Sequence, residues 1–357
     1  MSALSFSIKD FLKKASMAHG VSGHEFVEVA NVCREALTGL VDEIRVDTLG
    51  NVIGFRKGEG DGPRPKIMLA GHIDEIGLMV TRIEEGGFLR FVGIGVDPRV
   101  LPGHEVTVHG RRPLTGLIGL KPPHLTPPEE AMKAQKIEDL FIDLGLPEDE
   151  VRNICKIGDV VTYKRQITEL TEDILSGKSM DDRAGFGLIL VCLQELRKYR
   201  VRADVYAVAT TQEEVGLKGA TVSAYGVEPD IGVAIDVCHA ETPGVPQWRT
   251  TKLGKGPVLC MGGNIHPKVF QRLRKAADEL GIPVQIEVAP GPTGTDAWAI
   301  QMARSGVATA LISIPLRYMH TSVETLSVSD VEKGGRLLAR FIASCDKDTV
   351  KELSTWN

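Results

Sequence analysis

The 357-residue sequence lacks the features that mark membrane, secreted and nucleic-acid-binding proteins. No run of apolar residues reaches the length of about 18 that a membrane-spanning helix needs. The net charge of -5 gives no excess of positive charge for binding nucleic acid or an anionic membrane. The N-terminal segment MSALSFSIKDFLKKASMAHG has no apolar core or cleavage site of a signal peptide. We therefore expect a cytoplasmic protein that binds neither nucleic acid nor membrane.

Several kinds of catalytic or metal site are missing as well. The six cysteines are scattered without a CxxC pair, which argues for reduced thiols and against a cysteine zinc site. No GxSxG nucleophile elbow is present. The glycines of PGPTGTD are too irregularly spaced for a dinucleotide-binding loop. Histidines and carboxylates are left as the candidates for chemistry.

The hydrophobic pattern changes twice along the chain, which predicts two domains. Residues 75–166 contain short β-rich runs between glycine, proline and charged turns, the pattern of a small β-barrel, with a short acidic helix around 129–144. Residues 1–73 and 168–357 contain helices, one of them predicted over 23–39, together with nearly continuous apolar strands. This second pattern predicts a three-layer α/β/α domain with a mixed, largely parallel sheet, interrupted by the barrel domain.

The most informative segment is TTQEEVG, where Glu213 and Glu214 follow the apolar run ADVYAVA. Two adjacent carboxylates at the end of a buried strand repel each other unless a positive charge compensates them. A solvated turn is the alternative interpretation. A cation bound between the two carboxylates would explain their position better.

Further candidate ligands follow other apolar runs. His72 follows KIMLAG, Asp236 ends DIGVAID, and His320 follows ALISIPLRYM, while Asp181 stands at a predicted helix start. In open α/β sheets, ligands bind beyond the carboxyl ends of the strands, so we expect these groups to meet Glu213 at one edge. Two histidines and several carboxylates are too many for one tetrahedral ion and suit a pair of zinc, cobalt or manganese ions.

At these residues the chain resembles the TET-type dinuclear metallo-aminopeptidases, a family that includes glutamyl aminopeptidases and proteins labelled M-type cellulases. The resemblance extends over the whole length. It includes four segments outside the central motifs: VDPRVLPG, GLKPPHLTPPEE, GPTGTDA and IPLRYMHTSVE.

The resemblance implies a role for each of seven residues. Glu213 would be the general base, Asp74 would orient the His72 ring, and Asp181 would bridge two metal ions, zinc being the first candidate. The implied metal ligands are His72, Asp181, Glu214, Asp236 and His320.

The resemblance also implies an activity and an assembly. The enzyme would remove N-terminal residues from short peptides, with two divalent ions in each subunit. It would form a large homo-oligomer, up to a tetrahedral dodecamer, through residues 75–166, which would also wall the active site. A dimer or another intermediate assembly stays open.

Alternatives remain for some residues and for the activity. Asp182 could serve only as a helix cap, and Asp296 could shape the pocket or a subunit contact. A related amidohydrolase, either a deacylase or a carboxypeptidase, would need a cation for the substrate carboxylate, and Arg317 is the candidate. A cellulase would need paired catalytic carboxylates without metal and aromatic platforms, whereas aromatic residues make up 5% of the chain. A scaffold that kept the fold without catalysis would not need Glu213.

Overall fold

The computed structural model describes residues 7–127, 129 and 134–355. These residues form two compact units. The larger unit contains the described residues up to Asp74, Ile167–Met319, and the described residues from Val323, and the smaller contains Glu75–Gln166 with His320–Ser322. Among the described residues, no helix has both the length and the apolar character that a membrane crossing requires.

The larger unit is built on a mixed 11-stranded sheet of described residues. Its central strands run parallel: β3 (Lys66–His72) pairs with both β12 (Asp204–Thr210) and β13 (Ile231–His239), and β13 pairs with β16 (Ala308–Arg317). These strands are buried along nearly their whole length, as nearly continuous apolar runs predict. The order is β1-β2-β12-β3-β13-β16-β17-β11-β10, with β14 joining β16 to β15. The strands are β1 (Glu43–Val46), β2 (Val52–Arg56), β3 (Lys66–His72), β10 (Thr168–Glu169), β11 (Ile174–Gly177), β12 (Asp204–Thr210), β13 (Ile231–His239), β14 (Val258–Gly262), β15 (Gln285–Ala289), β16 (Ala308–Arg317) and β17 (Glu324–Ser327).

Helices cover both faces of this sheet. In the larger unit they are α1 (Ile8–Met17), α2 (Val29–Leu37), α4 (Met180–Glu195), α5 (Lys218–Val227), α6 (Pro267–Leu280), α7 (Asp296–Gln301), α8 (Val328–Ala343) and α9 (Lys347–Leu353). One apolar core joins α1, α2, α4, α6 and α8 to one face, and a second core joins α5 and α7 to the other. The three-layer arrangement with a mixed sheet confirms the predicted fold class.

The smaller unit contains a closed six-stranded barrel of described residues, with strand order β4-β5-β8-β7-β6-β9. Alternate residues of β7 are buried, as expected for a strand with one face toward a barrel interior. The strands are β4 (Gly77–Ile83), β5 (Leu89–Ile94), β6 (Glu105–His109), β7 (Pro113–Gly119), β8 (Phe141–Asp143) and β9 (Val160–Tyr163), and one helix, α3 (Glu148–Ile154), accompanies them. The predicted barrel is confirmed.

The acidic helix predicted over 129–144 is wrong in its second half. Residues Ile137–Asp139 form a 3-10 turn, and Phe141–Asp143 forms β8, which pairs with both β5 and β7. Pairing within a closed barrel therefore overrides the local acidic composition. Residues 130–133, also within the predicted helix, lie outside the described residues.

Candidate metal centre

The candidate ligands lie at the carboxyl ends of the central parallel strands. His72 ends β3, and its register partner on β12 is Thr210, the last residue of that strand. Glu213 follows three residues later, and Asp236 lies within the carboxyl-terminal half of β13. The parallel pairing of β3, β12 and β13 is what brings together residues that are far apart in the sequence.

His72 is the centre of this group. Its side chain is 2% exposed, its Nε2 lies 3.0 Å from Asp181 Oδ1, and its Nδ1 lies 3.4 Å from Asp74 Oδ1. Burial lowers the pKa of His72, but the hydrogen bond to Asp181 and the interaction with Asp74 outweigh burial and raise this pKa. One ring nitrogen thus faces a candidate ligand, and the other faces the residue predicted to orient the ring.

Two overlapping sets of possible ligand atoms meet at this histidine. In each set the atoms lie within 4.8 Å of one another. The first set is His72, Glu213 and Glu214, and the second is His72, Asp181 and Asp236. Imidazole nitrogen and carboxylate oxygen are the donors that zinc, manganese and cobalt accept.

The electrostatics of the cluster fit bound cations. Burial raises the pKa of Glu213 to about 10; His72 opposes the rise, and the carboxylates of Asp236, Asp296 and Glu214 add to it. Burial also raises the pKa of Asp236 well above its usual range, with His72 opposing and Asp181 adding to the shift. Buried carboxylates this close cannot all be ionised unless positive charge lies among them. The residues present therefore fit divalent metal.

Asp74 holds the backbone that carries the two glutamates. Its Oδ1 accepts a hydrogen bond from Glu213 N at 3.0 Å, and its Oδ2 accepts one from Glu214 N at 3.1 Å. Ser22 Oγ donates to Oδ2 at 2.6 Å, and Asp74 is fully buried. Besides facing His72, Asp74 therefore ties the end of β3 to the Glu213–Glu214 turn, a contact that the sequence did not predict.

Asp181 is held in a comparable way by a residue that sequence reasoning missed. Glu324, buried at the start of β17, accepts hydrogen bonds from Met180 N (2.7 Å) and Asp181 N (3.2 Å) through Oε2. Asp182 Oδ1 accepts from Gly185 N at 3.0 Å, which is the helix-capping bond weighed for it. Glu324 belongs to the motif IPLRYMHTSVE, but bonds between a carboxylate and backbone N–H groups leave no pattern of residue spacing in the sequence.

The remaining candidates have distinct surroundings. Asp296, 2% exposed, accepts a 2.5 Å hydrogen bond from Thr210 Oγ1, and burial raises its pKa to about 6. Arg317 Nε donates to the backbone oxygen of Glu241 at 2.8 Å. The Arg317 guanidinium also pairs with the side-chain carboxylate of Glu241 at 3.3 Å. His320 belongs to the smaller unit, where its Nδ1 lies 2.9 Å from Gly95 O. Its role as a metal ligand stays a prediction.

Comparison with known proteins gives a consistent result. The family model described as M42 glutamyl aminopeptidase matches residues 50–337. A lysyl aminopeptidase of Pyrococcus furiosus is 38% identical over 331 residues, which cover 90% of this chain and 93% of that protein.

Solved structures agree with the sequence matches. An aminopeptidase of the archaeon Desulfurococcus kamchatkensis superposes with a TM-score of 0.91 at 39% identity, covering 98% of both chains. A TET1 peptidase of Pyrococcus horikoshii, which assembles into a tetrahedron or a large octahedral shell, superposes with a TM-score of 0.82. It is 32% identical, and the match covers 95% of this chain and 100% of that one.

Proposed function

Because this chain belongs to the M42 glutamyl aminopeptidase family and is a peptide hydrolase, we propose that it is a dinuclear metallo-aminopeptidase that removes N-terminal residues from short peptides. The observation that carries the proposal is the group of imidazole and carboxylate donors around His72. The number of ions and the shared position of Asp181 rest on the resemblance to the family. Five donors would hold the two ions, with Asp181 shared between them: His72, Asp181, Glu214, Asp236 and His320. Zinc is the first candidate, and the same donors accept cobalt or manganese.

Glu213 is the proposed general base. A pair of divalent ions, when bound, lowers the pKa of the attacking water and polarises the scissile carbonyl. Glu213 then takes the proton from the water and passes it to the leaving amine. Neighbouring positive charge would lower the Glu213 pKa from about 10 and provide the ionised carboxylate that a base requires.

Asp74 is the proposed orienting residue of the site. Its carboxylate faces Nδ1 of His72, which leaves Nε2 to bind metal, and it also holds the backbone of both glutamates. One carboxylate thereby sets the position of one metal ligand, the base and a second ligand.

The arginine contact favours an aminopeptidase over the related amidohydrolases. A deacylase or carboxypeptidase needs a cation to bind the substrate carboxylate, and Arg317 was the candidate in the sequence. Its guanidinium instead binds the backbone oxygen and carboxylate of Glu241.

The surroundings of the thiols bear on the compartment in which the enzyme acts. All six cysteines are free and buried, as is typical of proteins in a reducing environment. We propose on this ground that it acts in the cytoplasm.

Substrate choice and metal dependence test the proposal together. The enzyme should hydrolyse aminoacyl-p-nitroanilides and leave N-acyl amino acids intact. It should lose activity with a chelator and recover it with zinc, cobalt or manganese. Preference for N-acyl substrates would favour the amidohydrolase instead, and chelator-resistant activity together with absence of metal in elemental analysis would exclude a metal mechanism.

Two substitutions separate the base from a ligand. Glu213→Gln should lower kcat by about 10²- to 10⁴-fold and retain metal, because the amide keeps the side-chain shape but cannot accept the proton. Asp236→Ala, the control, should lose bound metal, and its activity should fall because the metal is lost. A Glu213→Gln enzyme with wild-type kcat would show that the base is another residue.

A further inference from the structure

Four consecutive backbone N–H groups follow β12, and each is bound by a side chain from an earlier part of the chain. Thr211 N donates to Asn51 Oδ1 at 2.9 Å, and Gln212 N donates to Glu25 Oε1 at 2.9 Å. The next two donate to Asp74, as described above. This segment is neither strand nor helix. Backbone N–H groups of residues 216–219 bind its carbonyl oxygens, while its own N–H groups are bound by side chains.

The conformation of this turn needs outside support. Gln212 has φ of +56°, in the left-handed region that a non-glycine residue occupies at a cost of about 1–2 kcal/mol. Glu25 accepts the Gln212 N–H through an oxygen that also accepts from Gly23 N at 2.9 Å. Its side chain is 2% exposed, so water competes little for these bonds. Glu25 is thus the acceptor placed at the strained residue itself.

Gln212 is the residue directly before Glu213, so a change in its backbone conformation moves the Glu213 carboxylate. Misplacement of a reacting group by about 1 Å costs on the order of 10²-fold in rate. Asp74 fixes the N–H groups on the far side of Gln212. With Glu25 removed, the Gln212 N–H loses its acceptor, and Gln212 keeps the bond from Lys218 N to its backbone oxygen, which at 3.3 Å is the longer of the two.

On the basis of the proposed role of Glu213 as general base, we propose that Glu25 is a positioning residue for catalysis. Through the Gln212 N–H it fixes the turn that aims Glu213 at the attacking water, while Glu25 itself stands outside both ligand sets.

The part of the chain that contains Glu25 also offers a control residue, Glu28. Glu28 also binds a backbone N–H with its carboxylate, accepting from His19 N at 2.8 Å. Among the residues that the structure describes, no hydrogen bond joins the Glu28 side chain to residues 211–214. Glu28→Ala therefore removes a carboxylate that binds a backbone N–H in the same part of the chain, at an exposed position. Thermal unfolding of both variants separates a loss of stability, which should be larger for the buried Glu25, from a loss of kcat.

The kinetic test compares three variants of the metal-loaded enzyme. Glu25→Ala should lower kcat by about 10- to 100-fold, with KM changed less than about threefold and metal content unchanged. Glu25→Gln keeps an oxygen acceptor and should return to within about fivefold of wild-type kcat. Glu28→Ala should keep wild-type kcat. Wild-type kcat in Glu25→Ala, an equal loss in Glu28→Ala, or failure of Glu25→Gln to recover would each overturn the proposal.

Amide hydrogen exchange tests the positioning separately from the activity. Glu25→Ala should speed exchange in peptides that cover residues 211–214, and Glu28→Ala should not. If the wild-type enzyme showed no aminopeptidase activity, the proposed function would fail, and unchanged exchange in Glu25→Ala would then refute the positioning role independently. Faster exchange with undiminished kcat would refute the inference and leave the proposed function standing.

Discussion

At the scale of single residues, one buried arginine joins three segments of the larger unit. Arg183 is 1% exposed, and its Nε donates to Ile73 O at 3.2 Å. One terminal nitrogen donates to Ala15 O and Ala18 O, both at 2.5 Å, at the C-terminal end of α1. A cation there meets the negative end of the helix dipole, and the guanidinium has enough donors for all these carbonyls. Arg183 therefore anchors α1 beside the strand end that carries the site.

Replacing Arg183 by Met should lower the thermal unfolding midpoint strongly, because a buried carbonyl left without a donor costs about 1–3 kcal/mol. Ala15 O would keep its bond from Ala18 N, so most of the loss should come from the other carbonyls. Lys should lower it less, since its ammonium can replace some of these bonds but lacks the planar fork. Arg336→Met, at an exposed position of α8, is the control and should change stability by less than about 0.5 kcal/mol. Calorimetry should give the lowest unfolding midpoint for Arg183→Met, a higher one for Arg183→Lys and the highest for Arg336→Met. Equal midpoints for Arg183→Met and Arg336→Met would contradict the prediction.

Single residues also show where sequence reasoning ends. His72, Glu213 and Asp236 could be predicted to converge because each stands near the end of an apolar run that reads as a strand. Glu25 and Glu324 could not, because they bind backbone N–H groups, which every residue type except proline supplies. Such a contact depends on the folded path of the chain and leaves no pattern in the sequence.

At the scale of elements, the apolar runs predicted the central strands well. The boundary of one helix differs from its prediction because residues there contact the candidate site. The helix predicted over 23–39 begins at Val29. Residues 22–28 instead form turns and irregular backbone, in which Ser22 donates a hydrogen bond to Asp74 and Glu25 accepts one from Gln212 N. Tertiary contacts around the site thus override local helix preference.

Two helices of the larger core touch through a glycine. A Cβ added at Gly335 of α8 would lie 2.6 Å from Val191 Cβ and 2.8 Å from the backbone oxygen of Leu188, both on α4. Neither atom can move without shifting the helix. Gly335→Ala should therefore destabilise the protein by about 1–3 kcal/mol.

Gly226 near the end of α5 is the matched control, because nothing lies within 4 Å of an added Cβ there. Gly226→Ala should be neutral or stabilising by about 0.4–1 kcal/mol, since alanine restricts the unfolded chain. Denaturant unfolding of both variants measures the difference. Equal stability of the two would mean that α4 and α8 do not pack this closely.

At the scale of the whole molecule, we predict a large homo-oligomer, up to a tetrahedral dodecamer, assembled through residues 75–166. The support is the similarity to a peptidase that assembles into a tetrahedron or an octahedral shell. Light scattering coupled to size-exclusion chromatography should give a mass many times the 38.7 kDa of one chain. A fully active monomer would refute the prediction, whereas a stable dimer would limit it to a partial assembly.

Enclosure adds a kinetic expectation to this prediction. If the assembly encloses its active sites, short peptides should be hydrolysed freely, and a folded protein with an exposed N-terminus should not. The same protein, unfolded, is the control and should be hydrolysed. An oligomeric state could not be derived from residue patterns alone, because assembly depends on a few contact side chains that have no periodic signature.

The barrel strands lie in the sequence between two segments of the larger unit, and this placement affects the order in which the two units can fold during synthesis. All six barrel strands lie between Gly77 and Tyr163, so they leave the ribosome together, and their sheet can close early. Strand β3 must wait, because its two neighbours begin only at Asp204 and Ile231. His72 and Asp74 are therefore synthesised well before the strands that align them. The candidate metal centre can therefore be completed only when most of the chain has been translated.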